Sequence, residues 1–412
     1  MIDLSLPDEL RATVARLDEF LAREVVPAEE KLTEADFTNG TVQRKVLPGL
    51  RAAARRAGLY APQLPPEWGG QGLGATALAL IAERCGPHPL AALALNCAAP
   101  DEANLHLLLH YGNAEQRDRW LRPLAEGTIR SCFGMTEPDA GSDPRRISST
   151  AHPQPDGRWL INAHKLFTSG GIGAAFCIVM AVSEPDAPPG HGISMFIVPT
   201  ENPGFTIVRD LPTMGSACPG GHPEILLRDV VVDADALLGA RGEGFAMAQA
   251  RLGIGRIGHA MRWIGIAQRA LDLAAGHALH RETFGAPLAD RQVVQWWLAD
   301  GATKLHAARL MVLEACWRIE RGLEHANQVS MIKTFTAELL GEIVDQALQV
   351  HGGHGYTDDL PFARWYRDAR AARIYDGPSE VHRMALARRL LREVAETGTS
   401  RRITGDNLLR DR

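Results

Sequence analysis

Near Ile129 the hydrophobic period of this chain drops from about 3.6 residues to two, and beyond Leu238 it lengthens again. From Pro7 to about Pro123, stretches such as LRATVARLDEFLAREVVPAEEKL and ALALIAERC place apolar residues every three or four positions, as amphipathic helices require. Between Ile129 and Leu238 the runs are short and β-branched or alternating: RWLINAHKLFTS, FCIVMAVS, ISMFIVPT, FTIVRDL and EILLRDVVV. Turn clusters such as SEPDAPPGHG and ENPG divide them. From Gly242 long helical periods return in AMRWIGIAQRALDLAAGHALHRETFG and RQVVQWWLADGATKLHAARLMVLEACWRIERG. The pattern predicts an α+β multidomain chain: an N-terminal helical bundle over 1–128, a small antiparallel β-domain over 129–240, and a C-terminal helical bundle over 241–412.

At 412 residues and 45% hydrophobic, the chain can bury a sizeable core, and its length suits two or three domains. Its 44 basic and 49 acidic residues are mixed along the sequence, a formal net charge of -5, so no broad cationic face is offered to nucleic acid or anionic lipid. The start MIDLSLPDEL carries acids where a signal peptide needs a basic start, and no apolar run is long enough to span a bilayer. Six widely spaced cysteines, without paired C-x-x-C or histidine at zinc spacing, read as reduced cytoplasmic thiols with no metal site. The closing SRRITGDNLLRDR reads as a frayed or partner-bound tail.

Four motifs carry candidate chemistry. CFGMTEPDAGSD, Cys132 to Asp143, can offer backbone N–H groups and hydroxyls to a polar ligand rim; an ordinary Asx or ST turn accounts for it equally well. HKLFTSGG, His164 to Gly171, sets an aromatic beside two hydroxyls at a strand end, suiting one face of a planar heterocycle or a core phenylalanine before a turn. QVHGGHGY, Gln349 to Tyr356, ends a long helix, with Gly352 at a natural C′ position. RIYDGPSEVH, Arg373 to His382, pins one acid before a Gly-Pro turn. Asp376 there is either a helix cap, with proline in the first turn, or a proton-abstracting base.

Taken together, MTEPDAGSD, RETFGAPLADRQ and QVHGGHGY…PFARWYRDARAARIYDGPSEVH resemble the acyl-CoA dehydrogenase family along nearly the whole chain. ARLGIGRIGHAMR and YDGPSEVH resemble the subgroup of the human members ten and eleven and their bacterial relatives. The resemblance implies a helical N-domain, a β-barrel-like middle domain and a helical C-domain, with FAD as cofactor. It also implies an acyl-CoA substrate, an electron-transferring flavoprotein as partner, and a homotetramer or homodimer. By position it places Phe133, Met135, Thr136, Gly141 and Ser142 at the flavin, with Ser142 also at the thioester mouth. Phe167 falls where many members have a tryptophan over the flavin, Ser169 where a threonine hydroxyl stands, and Thr168 lies between them. Arg281, Thr283, Phe284, Gln292, Gln349, Gly352 and Gly353 match positions that hold a neighbouring subunit's FAD, an arginine fork on a diphosphate being a sound pairing. Pro378, replacing a usual threonine, and Glu380 complete the cofactor set.

Desaturation of an acyl thioester needs a base for the α-proton, an acceptor for the β-hydride, and hydrogen bonds to the carbonyl as enolate charge builds. The resemblance makes Asp376 that base, where most members carry glutamate, and Arg256 a substrate-side residue that moderates its proton affinity. A minority place the catalytic glutamate at the position of Gly255, which cannot serve. An aspartate-based flavoprotein oxidase of the nitroalkane oxidase type is the alternative. A nucleic-acid-binding member, as in the alkylation-response branch, would need a basic C-terminal region that this chain lacks room for.

Overall fold

The computed structural model describes residues 5–188, 190–215 and 218–405. The first four residues of the acidic start lie outside it, as does the expected tail from Asp406 onward; within residues 400–405, Ile403 is buried. The helices used below are α1 (Asp8–Phe20), α2 (Leu47–Arg56), α3 (Ala75–Cys85), α4 (Asp101–Tyr111), α5 (Gly244–His280), α6 (Gln292–Glu320), α7 (Ala326–His351), α8 (Phe362–Ala372) and α9 (Ser379–Thr397). The strands are β1 (Ser131–Gly134), β2 (Thr150–Pro153), β3 (Trp159–Lys165), β4 (Phe176–Val182), β5 (Ile193–Pro199), β6 (Phe205–Asp210), β7 (Pro223–Val232) and β8 (Leu237–Leu238). The chain gathers into two compact units, Met1–Gly74 with His88–Gly255, and Ala75–Pro87 with Arg256–Arg412.

In the first unit one sheet runs in the order β6-β7-β3-β2-β4-β5-β8, with β1 beside β4. The expected all-antiparallel arrangement is corrected: β1 pairs β4 in parallel, Cys132 opposite Cys177, and β2 also meets β4 in parallel at Thr150 and Val182. The reason is topological. β1 enters directly from the helical segment and not through a hairpin, so nothing forces it to run against its neighbour. β3 buries alternate residues, Trp159, Ile161 and Ala163, whereas β4 and β5 are covered on both faces and read as continuous apolar runs. α4 fixes the height of β1: the Ser131 N–H donates to Asp101 Oδ1 at 2.8 Å, and Asn104 Nδ2 donates to Ser131 Oγ at 2.9 Å.

In the second unit α5 to α8 bury one continuous apolar cluster, including Ile264, Leu305, Val312, Ile332, Leu340, Ile343, Phe362 and Trp365. α7 supplies it at helical spacing through Val329, Ile332, Leu339, Leu340 and Ile343. α3 joins this unit because α5 approaches it backbone to backbone: a Cβ on Gly265 would overlap the Glu83 carbonyl oxygen, and one on Gly86 the Arg262 carbonyl. That closeness fixes the height of α5 and so the stations of the side chains it carries toward the site.

The same helix contains Gly276, exposed and with open space where a Cβ would go. Two alanine substitutions should therefore have opposite signs. Gly276→Ala should stabilise by up to ~1 kcal/mol through helix propensity. Gly265→Ala gains the same propensity but meets a backbone oxygen that cannot rotate away, and should destabilise by a net ~1–3 kcal/mol. Thermal unfolding of the two variants beside the wild type checks this.

Candidate active site

The loop after β1 and the end of β3 are brought side by side. The Leu166 N–H donates to the Thr136 carbonyl at 2.9 Å, so the MTEPDAGSD and HKLFTSGG motifs share one edge of the first unit. A fully buried ion pair holds that edge: Lys165 Nζ lies 2.7 Å from Glu137 Oε1 and 3.3 Å from the Met135 carbonyl. Glu137 also accepts from the backbone and hydroxyl groups of Ser148 and Ser149 at 2.5–3.1 Å. Burial disfavours its charge, but Lys165 and these hydroxyls outweigh it and hold the carboxyl at about 2. Sequence reasoning quoted Glu137 inside its motif without seeing that it staples the loop.

The edge presents an unusual pair. Phe167 has φ +53°, a left-handed conformation uncommon for a bulky residue, and the residue is 54% exposed. Next to it the Thr168 hydroxyl is buried with no hydrogen-bond partner. Ser169 Oγ lies 2.7 Å from His222 Nδ1, a partner that no sequence signal indicated. Phe133 is half-buried beneath the Arg251 guanidinium, 3.9 Å from its ring centroid, and Gly141 and Ser142 are exposed on the loop beyond.

In the second unit Arg256 and Asp376 come together. Asp376 is not the cap of α9: that position is Pro378, with no side-chain capping bond, and helical residues begin at Ser379. Pro378 therefore precedes the first turn, in place of the expected position within it. Asp376 sits at φ +55°, in the left-handed region. Its backbone carbonyl accepts from Arg256 Nε at 2.9 Å and from His382 Nε2 at 3.2 Å, which uses both lone pairs. Arg256 thus holds the main chain of the candidate base through its Nε. Burial, reinforced by Arg256, pushes His382 down to about 4, so its ring is neutral and donates.

The carboxylate meets α5. Asp376 Oδ2 is 3.2 Å from His259 Nε2, and the other ring nitrogen, Nδ1, accepts from Arg262 at 3.1 Å. Tyr375 completes the wall, its ring edge-on to His259 at 5.0 Å and its hydroxyl accepting from Trp263 Nε1 at 3.2 Å. From α7, Lys333 rises fully buried, donates to the Ala372 carbonyl at 2.9 Å, and is pushed down to about 8 by burial. His259, Trp263, Lys333 and His382 were not foreseen. The spacing of His259, Arg262 and Trp263 at i, i+3 and i+4 puts them on one helix face, which was the available signal.

The remaining candidates lie elsewhere. Arg281 follows α5, and Thr283, Phe284 and Gly285 form a tight turn with φ +52° at Phe284, whose side chain is fully exposed. Gln292 opens α6. Gln349, Gly352 and Gly353 are exposed at the end of α7, where the His277 and His351 rings stack at 4.3 Å and bring the ends of α5 and α7 together. Lys333 is 18 residues back along α7, so this patch stands roughly 27 Å along the helix from the Asp376 loop. Glu380 is exposed in the first turn of α9.

The chain matches three acyl-CoA dehydrogenase domain families: the N-terminal domain over residues 7–128, the middle domain over 132–229 and the C-terminal domain over 242–391. It belongs to the acyl-CoA dehydrogenase family, a family of flavoprotein oxidoreductases. It is 40% identical to "Probable acyl-CoA dehydrogenase FadE2" of Mycobacterium tuberculosis over 90% of this chain and 93% of that protein. It is 36% identical to human acyl-CoA dehydrogenase family member 11 over 94% of this chain, but spans only 51% of that protein's length. That match agrees with the resemblance to the subgroup of members ten and eleven. The butyryl-CoA dehydrogenase structure from Megasphaera elsdenii superposes with TM-score 0.83 at 29% identity, covering 95% of this chain and all of the other. Among the described residues no helix is long and apolar enough to cross a membrane.

Two predictions concern the buried charges. Glu137→Gln strands Lys165 and should cost about 3 kcal/mol at neutral pH. The folded carboxyl titrates at about 2, below its ordinary 4.5, so this stabilisation is complete above the ordinary value and is lost as pH falls toward 2; the gap between wild type and variant in urea unfolding should close over that range. Lys333 behaves in the opposite direction. Its folded value of about 8 lies below the ordinary 10.5, so between them the unfolded chain binds the extra proton and stability rises with pH. Relative to Lys333→Met, the wild type should gain about 1.4 kcal/mol per pH unit across that interval.

Proposed function

We propose that this protein is an FAD-dependent acyl-CoA dehydrogenase that desaturates the α,β bond of an acyl-CoA thioester, with Asp376 as the base that takes the α-proton. The observation that carries the reading is the setting of Asp376: two residues before the α9 N-cap, in a left-handed conformation, with Arg256 and His382 donating to its carbonyl and His259 facing its carboxylate. Strain of that kind, held in place by surrounding contacts, is characteristic of functional positions. The bonds to its carbonyl leave the backbone with little freedom, so the carboxylate can be presented to a carbon acid in a constant place.

The residues of the first unit fit FAD. The buried, unpartnered hydroxyl of Thr168 has an unmet hydrogen bond to give, and the exposed Phe167 ring offers an apolar face beside it. When bound, FAD supplies the hydride acceptor. Thr136, Thr168 and Ser169 would hold its polar rim, Phe133, Met135 and Phe167 its apolar faces, and Gly141 with Ser142 the open mouth. Pro378 and Glu380, flanking the start of α9, belong to the same cofactor set. The exposed patch of Arg281, Thr283, Phe284, Gln292, Gln349, Gly352 and Gly353, roughly 27 Å along α7 from the Asp376 loop, matches the family positions that serve a neighbouring subunit's cofactor. It suits the pyrophosphate and adenosine of a second copy's FAD, which makes a homotetramer or homodimer the working assembly. The three segments 1–128, 129–240 and 241–412 act as its domains, and a cytoplasmic electron-transferring flavoprotein is the acceptor.

The test is anaerobic mixing of the yellow protein with butyryl-CoA, octanoyl-CoA and palmitoyl-CoA while flavin absorbance is followed. At least one should bleach the flavin, and Asp376→Asn should slow that bleaching by ~10²–10⁴-fold while thioester binding persists. Colourless protein that refuses added FAD, or an Asn variant reduced at the wild-type rate, would end this reading. Oxygen consumption with a nitroalkane and none of the three thioesters active would move the protein to the oxidase alternative.

A further inference from the structure

We propose that His259 is the positioning residue of the base: held by Arg262 as its Nε2–H tautomer, it donates to the Asp376 carboxylate and sets both its aim and the pH at which it becomes a competent base. The inference rests on the reading of Asp376 as that base. Its support is geometric. Arg262 has only donors, so its 3.1 Å contact to Nδ1 makes that nitrogen the acceptor; in a neutral ring the proton must then sit on Nε2, which faces Asp376 Oδ2 at 3.2 Å. Neutrality follows from the surroundings. Burial first, and Arg262 second, lower the proton affinity of His259, and only the Asp376 carboxylate opposes them.

The other charged and titratable groups facing the pair have different tasks. On α5, Arg256 spends its Nε on the Asp376 carbonyl. On α9, His382 donates to the same carbonyl. From α7, Lys333 donates to the Ala372 carbonyl and acts on Asp376 and His259 through space. Tyr375 lies edge-on to the His259 ring, with its hydroxyl accepting from Trp263 and Asp368 of α8 acting on it through space; Glu380 faces Lys333. The His259 bond thus acts on the atom pair that must receive the proton, while the named bonds of Arg256 and His382 act on the backbone behind it.

The consequence is a definite pH behaviour. A hydrogen bond donated to the carboxylate favours its ionised form, so His259 lowers the pH below which the base is protonated and idle. Removing the donor raises that threshold. In His259→Leu the acid limb of the flavin-reduction rate should therefore move up by roughly one pH unit, as expected for one charged hydrogen bond lost. In His259→Gln an amide N–H near the same place should return the limb toward its wild-type position. A histidine that only filled space would leave the limb unmoved.

The experiment measures anaerobic flavin reduction against pH for wild type, His259→Leu, His259→Gln and Asp376→Asn in the assembled holoprotein, using whichever of butyryl-, octanoyl- or palmitoyl-CoA bleaches the wild type fastest. A second readout needs no substrate: the nitrogen spectrum of ¹⁵N-histidine-labelled protein, with His259 assigned by its loss in the Leu variant, should show the Nε2–H tautomer. The proposal stands if the Leu limb moves up, the Gln limb returns, and that tautomer is seen. An Asp376→Asn variant that is inactive beside a His259→Leu variant with an unmoved limb would overturn this proposal and leave the base intact, as would an Nδ1–H tautomer. An Asp376→Asn variant reduced at the wild-type rate would overturn the base itself, and the role of His259 with it.

Discussion

The backbone carbonyl of Asp376, held between Arg256 and His382, is the constraint around which the second unit is arranged. A left-handed aspartate costs on the order of 1–2 kcal/mol, and it persists because two helices donate to the oxygen that the turn exposes. One donor comes from α5 and the other from α9, and Lys333 of α7 ties down the Ala372 carbonyl just upstream. Each bond is local, but together they fix the three helices in height relative to one another, because a hydrogen bond tolerates little change in distance. Gly265 of α5 and Gly86 after α3 serve that requirement by letting the two helices approach closely enough to set the position of α5.

Charge is distributed with similar economy. His382 and His259 are both kept neutral by burial and by neighbouring arginines, so they act as hydrogen-bond donors and do not add cations that would clamp the carboxylate shut. Lys333 lies close to the edge of ionisation for a buried amine and offers a softened positive field in place of a direct ion pair. The first unit uses the opposite solution. Glu137 and Lys165 are paired directly, and the pair is surrounded by serine hydroxyls and a carbonyl, because its task is to hold two loops together and no proton has to move.

Some elements were legible before any coordinates. The alternation of Trp159, Ile161 and Ala163 identifies β3, and the turn chemistry after Lys165 places Phe167 at its end. The long apolar periods of α5, α6 and α7 are plain in the sequence for the same reason: a buried stripe on a helix needs no partner to be recognised. Asp376 was visible as a singular acid before a Gly-Pro turn, yet the local pattern supported a cap as well as a base. The parallel entry of β1 was not visible, since strand direction leaves no mark on residue alternation. Nor was the bond from His259 to Asp376, which joins residues over a hundred positions apart.

By itself the sequence determined the order of helical and β regions, the neighbourhood of the candidate base and the family it belongs to, because hydrophobic period and turn-forming residues act over short stretches of chain. Tertiary structure alone decided that Pro378 and not Asp376 stands at the α9 N-cap, which atoms hold the Asp376 carbonyl, and which histidine faces its carboxylate. Those outcomes depend on directed hydrogen bonds effective over about 3 Å. Such distances between remote residues exist only once the helices have packed.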